Sequence, residues 1–208
     1  MTVRILRRVS EPWFNNPVAR PRKITDEELL AACGRVIGRH GPGFTLGQVA
    51  AEAGVAVGTV AGRFGSKHAL LLAMMTTAAE GVEQRMHAAS ATQDDPVAAV
   101  IAATLVTAEG LEDPATVTHH LAQLGTDLAD PHLRAGLREL RARVQGVLTG
   151  LLTGADLPGA PPPARAARIV DATAQGTQQD WALAPHGALT DRLRADLHAV
   201  LDAWRRPA

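Results

Sequence analysis

The sequence predicts an all-α protein of about nine helices, an N-terminal three-helix helix-turn-helix domain followed by a larger C-terminal helical domain. Three observations carry that expectation. Apolar residues recur at i, i+3, i+4 and i+7, and no stretch alternates as a strand does. Ala is abundant and Tyr absent, so local propensity leans helical throughout. Helix-start signals, each a Thr, Ser or Asp ahead of an apolar run, punctuate the chain. Its 208 residues suit one helical domain of good size, or one small and one medium domain.

Residues 1–24 combine Pro12, Pro17 and Pro21 with Arg4, Arg7, Arg8, Arg20, Arg22 and Lys23. That composition resists regular structure and reads as a flexible basic arm, with Trp13 and Phe14 as a local tether. Thr25-Asp-Glu-Glu28 is a capping box that opens a first helix through Leu29, Leu30, Cys33, Val36 and Ile37, ended by Gly41-Pro42-Gly43. A second box, Thr45-Leu-Gly-Gln48, opens a short helix closed by Gly54. A third short helix is expected over Val55–Phe64, and Ser66 caps a fourth that runs towards Ala89.

Further on, Asp95-Pro96, Asp113-Pro114 and Asp130-Pro131 each pair a capping acid with a proline suited to the first helical turn. They place helix starts near 96, 114 and 131. The Pro-rich loop 157–163 precedes two long helical stretches, near 163–184 and 188–205. The expected domains are the arm at 1–24, a helix-turn-helix domain at 25–70 and a helical domain at 71–208.

Lys plus Arg and Asp plus Glu each number 21, so a uniformly basic coat is excluded. The zero hides an asymmetry. Residues 1–67 carry ten basic and five acidic side chains, and the remainder eleven and sixteen. Such a split points to a nucleic-acid-binding end joined to something else. No apolar run reaches the length of a membrane span, and no secretory signal opens the chain, so a cytoplasmic protein is expected. The single Cys33 reads as a small core residue in a reducing compartment.

The stretch from Thr45 to Leu70 resembles the DNA-binding helix-turn-helix of the tetracycline-repressor (TetR) family. The shared features are a capped second helix, Ala-Gly-Val at the turn, Gly-Thr-Val in the recognition helix, then Phe64, a spacer and Ser66-Lys67. The resemblance covers about residues 25–72. It implies a duplex DNA operator as partner, a homodimer and a small-molecule effector, most simply a repressor released by an apolar ligand. The alternative is a protein of the same fold with weakened operator recognition, working through an effector or a protein partner.

Helix-turn-helix units place the recognition helix in the major groove while neighbouring elements hold phosphates. Candidate DNA contacts are therefore Thr45 and Gln48 at the start of the second helix, and Val57, Gly58, Thr59, Ala61 and Arg63 on the third. Lys67, with Arg20, Arg22 and Lys23 of the arm, completes the set. The recognition helix departs from the family pattern in being poor in polar groups. Ala56, Val57, Ala61 and Gly62 stand where polar or aromatic residues are usual, and Gly58 and Gly62 each cost on the order of 1 kcal/mol inside a helix. Affinity is expected to lean on the arm, with Val57 or Ala61 against thymine methyl groups.

In the C-terminal domain, Leu193, Leu197, Val200 and Trp204 form one helical stripe and Ile169, Thr173 and Thr177 another. Both are expected at a dimer interface. Met86, His119, Gln123, Gln175 and Trp181 are the polar or bulky exceptions in an otherwise Ala/Leu/Val-rich region and are the candidate effector contacts.

No catalytic constellation is evident. Ser10, Ser66 and Ser90 are the only serines, and none sits in a Gly-x-Ser-x-Gly elbow. No Glu-x-x-His metal motif occurs, and adjacent His119 and His120 point about 100° apart on a helix. No enzyme activity, cofactor or metal is expected.

Overall fold

The computed structural model describes residues 24–206, and among these the regular structure is helical. Nine α-helices follow one another: α1 (Asp26–His40), α2 (Leu46–Ala53), α3 (Val57–Phe64), α4 (Lys67–Ser90) and α5 (Pro96–Leu105), then α6 (Pro114–Ala129), α7 (Pro131–Thr153), α8 (Pro163–Leu183) and α9 (Leu189–Trp204). The arm, with Trp13, Phe14, Arg20, Arg22 and Lys23, lies outside the described residues.

Local chemistry sets most boundaries. Thr25 and Glu28 close a reciprocal capping box at α1, with Glu28 Oε2 accepting from the Thr25 amide at 2.9 Å. Thr45 and Gln48 repeat it at α2. Ser66 caps α4, while Asp95, Asp113 and Asp130 cap α5, α6 and α7 ahead of their first-turn prolines. Gly54 ends α2 in the left-handed conformation, φ 69°, as a C-terminal turn requires. The recognition helix begins later than its sequence suggests, at Val57. The Val55 amide still bonds back to Ala50 O at 2.9 Å, so Val55 belongs to the turn, and Ala56 has no side-chain oxygen with which to cap.

Apolar side chains collect in three clusters. One holds α1–α3 together around Leu29, Cys33, Ile37, Phe44, Val49, Val60 and Leu70, and takes in Leu133 from the start of α7. Cys33 is fully buried there, and burial pushes its thiol up to about 12, so it is an inert core residue. The largest cluster joins α4, α5, α7, α8 and α9 around Met86, Val100, Leu148, Val170 and Leu201. A third gathers Val117, Ala174, Trp181, Leu189 and Leu193 from α6, α8 and α9.

Two arrangements bear on function. α4 runs unbroken through the expected boundary at residue 70, so one rigid rod carries both the helix-turn-helix core and the C-terminal core. α6 packs along α1 and the 3-10 turn Gly41–Gly43. A Cβ at Gly38 would stand 3.0 Å from Thr116 Cγ2, and Gly41, at φ 57°, lies against His119. Only residues without side chains let the two helices approach this closely.

The α9 leucine stripe corrects one expectation. Leu193 and Leu197 are 1% and 0% exposed and pack into the protomer's own clusters, and Thr177 is buried with its hydroxyl donating to Asp196 Oδ2 at 2.7 Å. A strong apolar stripe on a helix goes first to the nearest core, here α5 to α8. Ile169, Thr173, Val200 and Trp204 keep partial exposure, Trp204 while packing on the main cluster. The outer surface of the two helices is completed by small residues, Ala172, Gly176, Ala199 and Ala203.

Candidate nucleic-acid interface and ligand cavity

α2 and α3 meet at the Gly54 turn, and the N-terminal ends of both helices lie side by side: a Cβ on Gly47 would come within 3.9 Å of Val57 Cγ2. Thr45 and Gln48 at the start of α2 thereby lie near Val57 at the start of α3, with Gly58, Thr59 and Ala61 following along that helix. Thr45 and Gln48 are tied to each other by the capping box, which leaves the Gln48 Nε2 group and the first-turn amides of α2 as donors. Val60 is fully buried and anchors α3 to the core. Val57, by contrast, is 51% exposed, and Gly58 and Gly62 are exposed in open space, where an added Cβ would touch none of the described residues. The outward face of α3 is thus smooth, apolar and almost free of hydrogen-bonding side chains.

The charges in this domain are turned inwards. Arg35 and Arg39 both hold Glu52, the former at 2.6 Å, and keep its carboxyl below the usual carboxylate range. Arg63 donates to Asp26 Oδ1 at 2.7 Å, bridging α3 to the start of α1. Lys67 reaches away from the recognition helix. Its ammonium donates to Pro42 O at 2.5 Å and Phe44 O at 2.8 Å and sits 4.1 Å over the Phe44 ring, and burial lowers its pKa. Each of the four basic side chains in residues 24–67 therefore has a partner inside the protein, and the four acidic ones balance them. The excess of five positive charges in residues 1–67 resides entirely in residues 1–23, six basic against one acidic.

The five candidate effector contacts are not brought together. Met86 is fully buried in the main core. Gln175 bonds Arg141 and Asp171 in a polar ladder between α7 and α8. Trp181 is buried and donates from Nε1 to Gly187 O at 3.2 Å, pinning the loop before α9. His119 points at α1, its Nδ1 donating to Gly38 O at 2.8 Å. Gln123 alone lines a cavity of about 220 Å³.

That cavity sits at the seam between the two halves of the molecule, between Ile37 of α1, Met74, Met75 and Ala78 of α4, and Leu137 and Leu140 of α7. Its α6 wall is built from His120, Gln123, Leu124 and Asp127. The sequence held a usable signal for this wall. Residues 120, 123 and 127 fall on one face of a helix, and His119 stands at the edge of that face, about 100° from His120 though about 40° from Gln123. Burial raises the Asp127 pKa and lowers that of His120.

Among the described residues no helix is long and apolar enough to cross a membrane, and no three His, Cys, Asp or Glu side chains gather as a metal would require.

Comparison with known proteins agrees with this architecture. Residues 29–74, α1 through the first third of α4, match the model of bacterial regulatory proteins of the tetR family. Among solved structures, a transcriptional regulator from Rhodococcus sp. Rha1 superposes with a TM-score of 0.68 at 23% identity, covering 89% of this chain and 100% of that one. A TetR-family regulator from Streptomyces coelicolor gives 0.64 at 22% identity, covering 86% and 95%. The regulator FadR from Bacillus subtilis, solved in complex with stearoyl-CoA, gives 0.66 at 18% identity, covering 85% and 98%. Nothing among curated proteins matches the chain. The chain shares its fold with these solved regulators, and residues 29–74 match the tetR-family model.

Proposed function

We propose that this chain is an operator-binding transcriptional regulator of the cytoplasm, acting as a homodimer and released from DNA by a small effector. The observation that carries the reading is the outer face of α3. Two glycines in an eight-residue helix cost up to about 1 kcal/mol each relative to Ala, and neither makes room for any of the described residues. Beside the exposed Val57 they leave a face bare enough for close approach to an external backbone or base edge. Laid in a major groove, Val57 and Ala61 meet thymine methyl groups, and Thr59 with the amides of α2 holds phosphates. Positive charge then comes from residues 1–23, with Arg20, Arg22 and Lys23 nearest the folded domain. Arg63 joins them only by exchanging Asp26 for a phosphate. Lys67 acts as a brace for the 42–44 segment, which carries α2.

A two-fold pair formed through the outer surfaces of α8 and α9, around Ile169, Thr173 and Val200, would present two recognition helices to a palindromic site. The route from effector to DNA runs through the seam. The His119–Gly38 bond and the close α1–α6 packing supplement α4 as a link, so a ligand between α4, α6 and α7 shifts both supports of the helix-turn-helix unit at once. A second reading, a protein of this fold with weak operator recognition, is favoured by the internal pairing of every basic side chain in residues 24–67.

Selection from a randomised duplex pool, followed by sedimentation of the complex, separates the two. The regulator reading predicts an enriched palindrome with A·T pairs at the contacted positions, bound by two protomers. Recovery of unenriched sequence at moderate salt overturns it.

A further inference from the structure

The cavity at the seam has a polarity that its apolar walls do not require. Gln123 is 3% exposed and Asp127 5%, and the Gln123 Nε2 group donates to Asp127 Oδ1 at 2.7 Å. A carboxylate only accepts, so this bond fixes the amide with its nitrogen towards Asp127 and its oxygen the other way. Gln123 Oε1 is then a buried acceptor with no donor among the described residues. Asp127 has no cation either: no Lys or Arg lines the cavity, and none of the described residues forms an ion pair with it. The third polar group of the wall is His120, whose burial disfavours the charged ring. Two acceptors, the carboxylate of Asp127 and the Gln123 Oε1 sealed just behind the surface, thus belong to a wall whose remaining lining, apart from His120, is methionine, leucine, isoleucine and alanine.

Resting on the effector reading above, we propose that the ligand of this cavity is a small organic amine, its ammonium donating to the Asp127 carboxylate and, with a small rotation of the side chain, to Gln123 Oε1, and its apolar body lying against Met74, Met75 and Leu137. An ammonium carries three donors and a positive charge, so it supplies both the cation Asp127 lacks and the donor Gln123 Oε1 lacks. A ligand carrying its own carboxylate or phosphate would meet Asp127 as a like charge with no counter-cation. The volume, about 220 Å³, suits a single ring or short chain and falls below the usual range for drug-sized ligands. The thioether side chains of Met74 and Met75 adapt to such a body.

The test uses the full chain with three probes of matched shape, benzylamine, benzyl alcohol and phenylacetate, followed by calorimetry and thermal melting near neutral pH. The amine is expected to bind and raise the melting temperature, with the alcohol at least tenfold weaker and phenylacetate without effect. Asp127→Asn is expected to lower amine affinity at least thirtyfold without lowering the melting temperature of the free protein. Gln123→Met, which removes the unpaired acceptor together with the Nε2 donor to Asp127, gives a second loss of amine affinity in a fold that keeps its core. Phenylacetate binding as tightly as benzylamine, failure of all three probes, or undiminished amine binding by Asp127→Asn overturns the assignment. Duplex binding read in the same samples keeps the two claims apart. Amine binding with unchanged duplex affinity retains the amine site and removes its regulatory role, whereas phenylacetate that binds and releases DNA retains the effector reading and removes the amine.

Discussion

The outer face of α3 and the α6 wall of the cavity both lower the stability of the protein without an internal return, and they do so by opposite means. α3 has too little: Gly58 and Gly62 give up helix propensity and leave open space outside. The cavity wall has too much: Gln123 buries an acceptor without a donor and Asp127 a carboxylate without a cation among the described residues. Elsewhere the chain obeys local rules closely, with three Asp-Pro helix starts and two reciprocal capping boxes. Glycines in open space also occur inside other helices, at Gly34, Gly81, Gly125, Gly146, Gly150 and Gly176, so what sets the α3 pair apart is its place beside the exposed Val57 on a short helix of the helix-turn-helix unit. A bare helix face accommodates a large rigid partner, and an unpaired acceptor accommodates a small donor.

The comparison is broken most severely at α3. Gly58→Ala and Gly62→Ala are each expected to stabilise the protein by up to about 1 kcal/mol, because the new methyl clashes with nothing and helix propensity improves. The same substitutions are expected to weaken duplex binding at least tenfold by holding the helix off the groove. Denaturant unfolding and duplex titration on the same variants read both effects. A gain in stability with unchanged affinity would mean that α3 does not touch DNA.

A smaller effect sharpens the cavity side. Burial holds the His120 pKa below its ordinary value of 6.5, so the native state binds fewer protons than the unfolded one just below that pH. The contribution is therefore intact above pH 6.5 and is lost as pH falls towards the native value. Asp127 has the opposite sign: its pKa is raised, so the cost of its ionised form enters as pH rises above 3.8. His120→Gln is expected to flatten the fall in the unfolding midpoint between about pH 6.5 and 5, and a profile identical to the wild type would place His120 in contact with solvent.

Much of this was legible in the sequence, and the remainder has a common physical cause. Capping chemistry is local, so Thr25, Thr45, Ser66 and the Asp-Pro pairs announce helix starts to within a residue or two. The helix-turn-helix unit is a short contiguous motif and reads in the same way. Which of two faces a residue occupies in the packed molecule is not local. His119 and His120 differ by one position, yet one ties α6 to Gly38 and the other lines the cavity. The leucines of α9 carry a periodicity equally suited to a partner subunit or to the protomer's own core, and the core takes them. Arg63 and Lys67 read as unattached cations in the sequence because Asp26, Pro42 and Phe44, which engage them, lie more than twenty residues away.

That last point bears on the account's central claim, that residues 1–23 supply the charge for DNA binding and α3 supplies the surface. The direct test is the salt dependence of duplex binding for the full chain and for one beginning at residue 24. Each phosphate neutralised contributes about 0.9 to the slope of log affinity against log salt. With six basic side chains removed per protomer, the slope is expected to fall by up to about 5 per protomer, and affinity at moderate salt to fall at least a hundredfold. A shortened chain with the same slope and affinity would contradict the claim and return the phosphate contacts to Arg63 and Lys67.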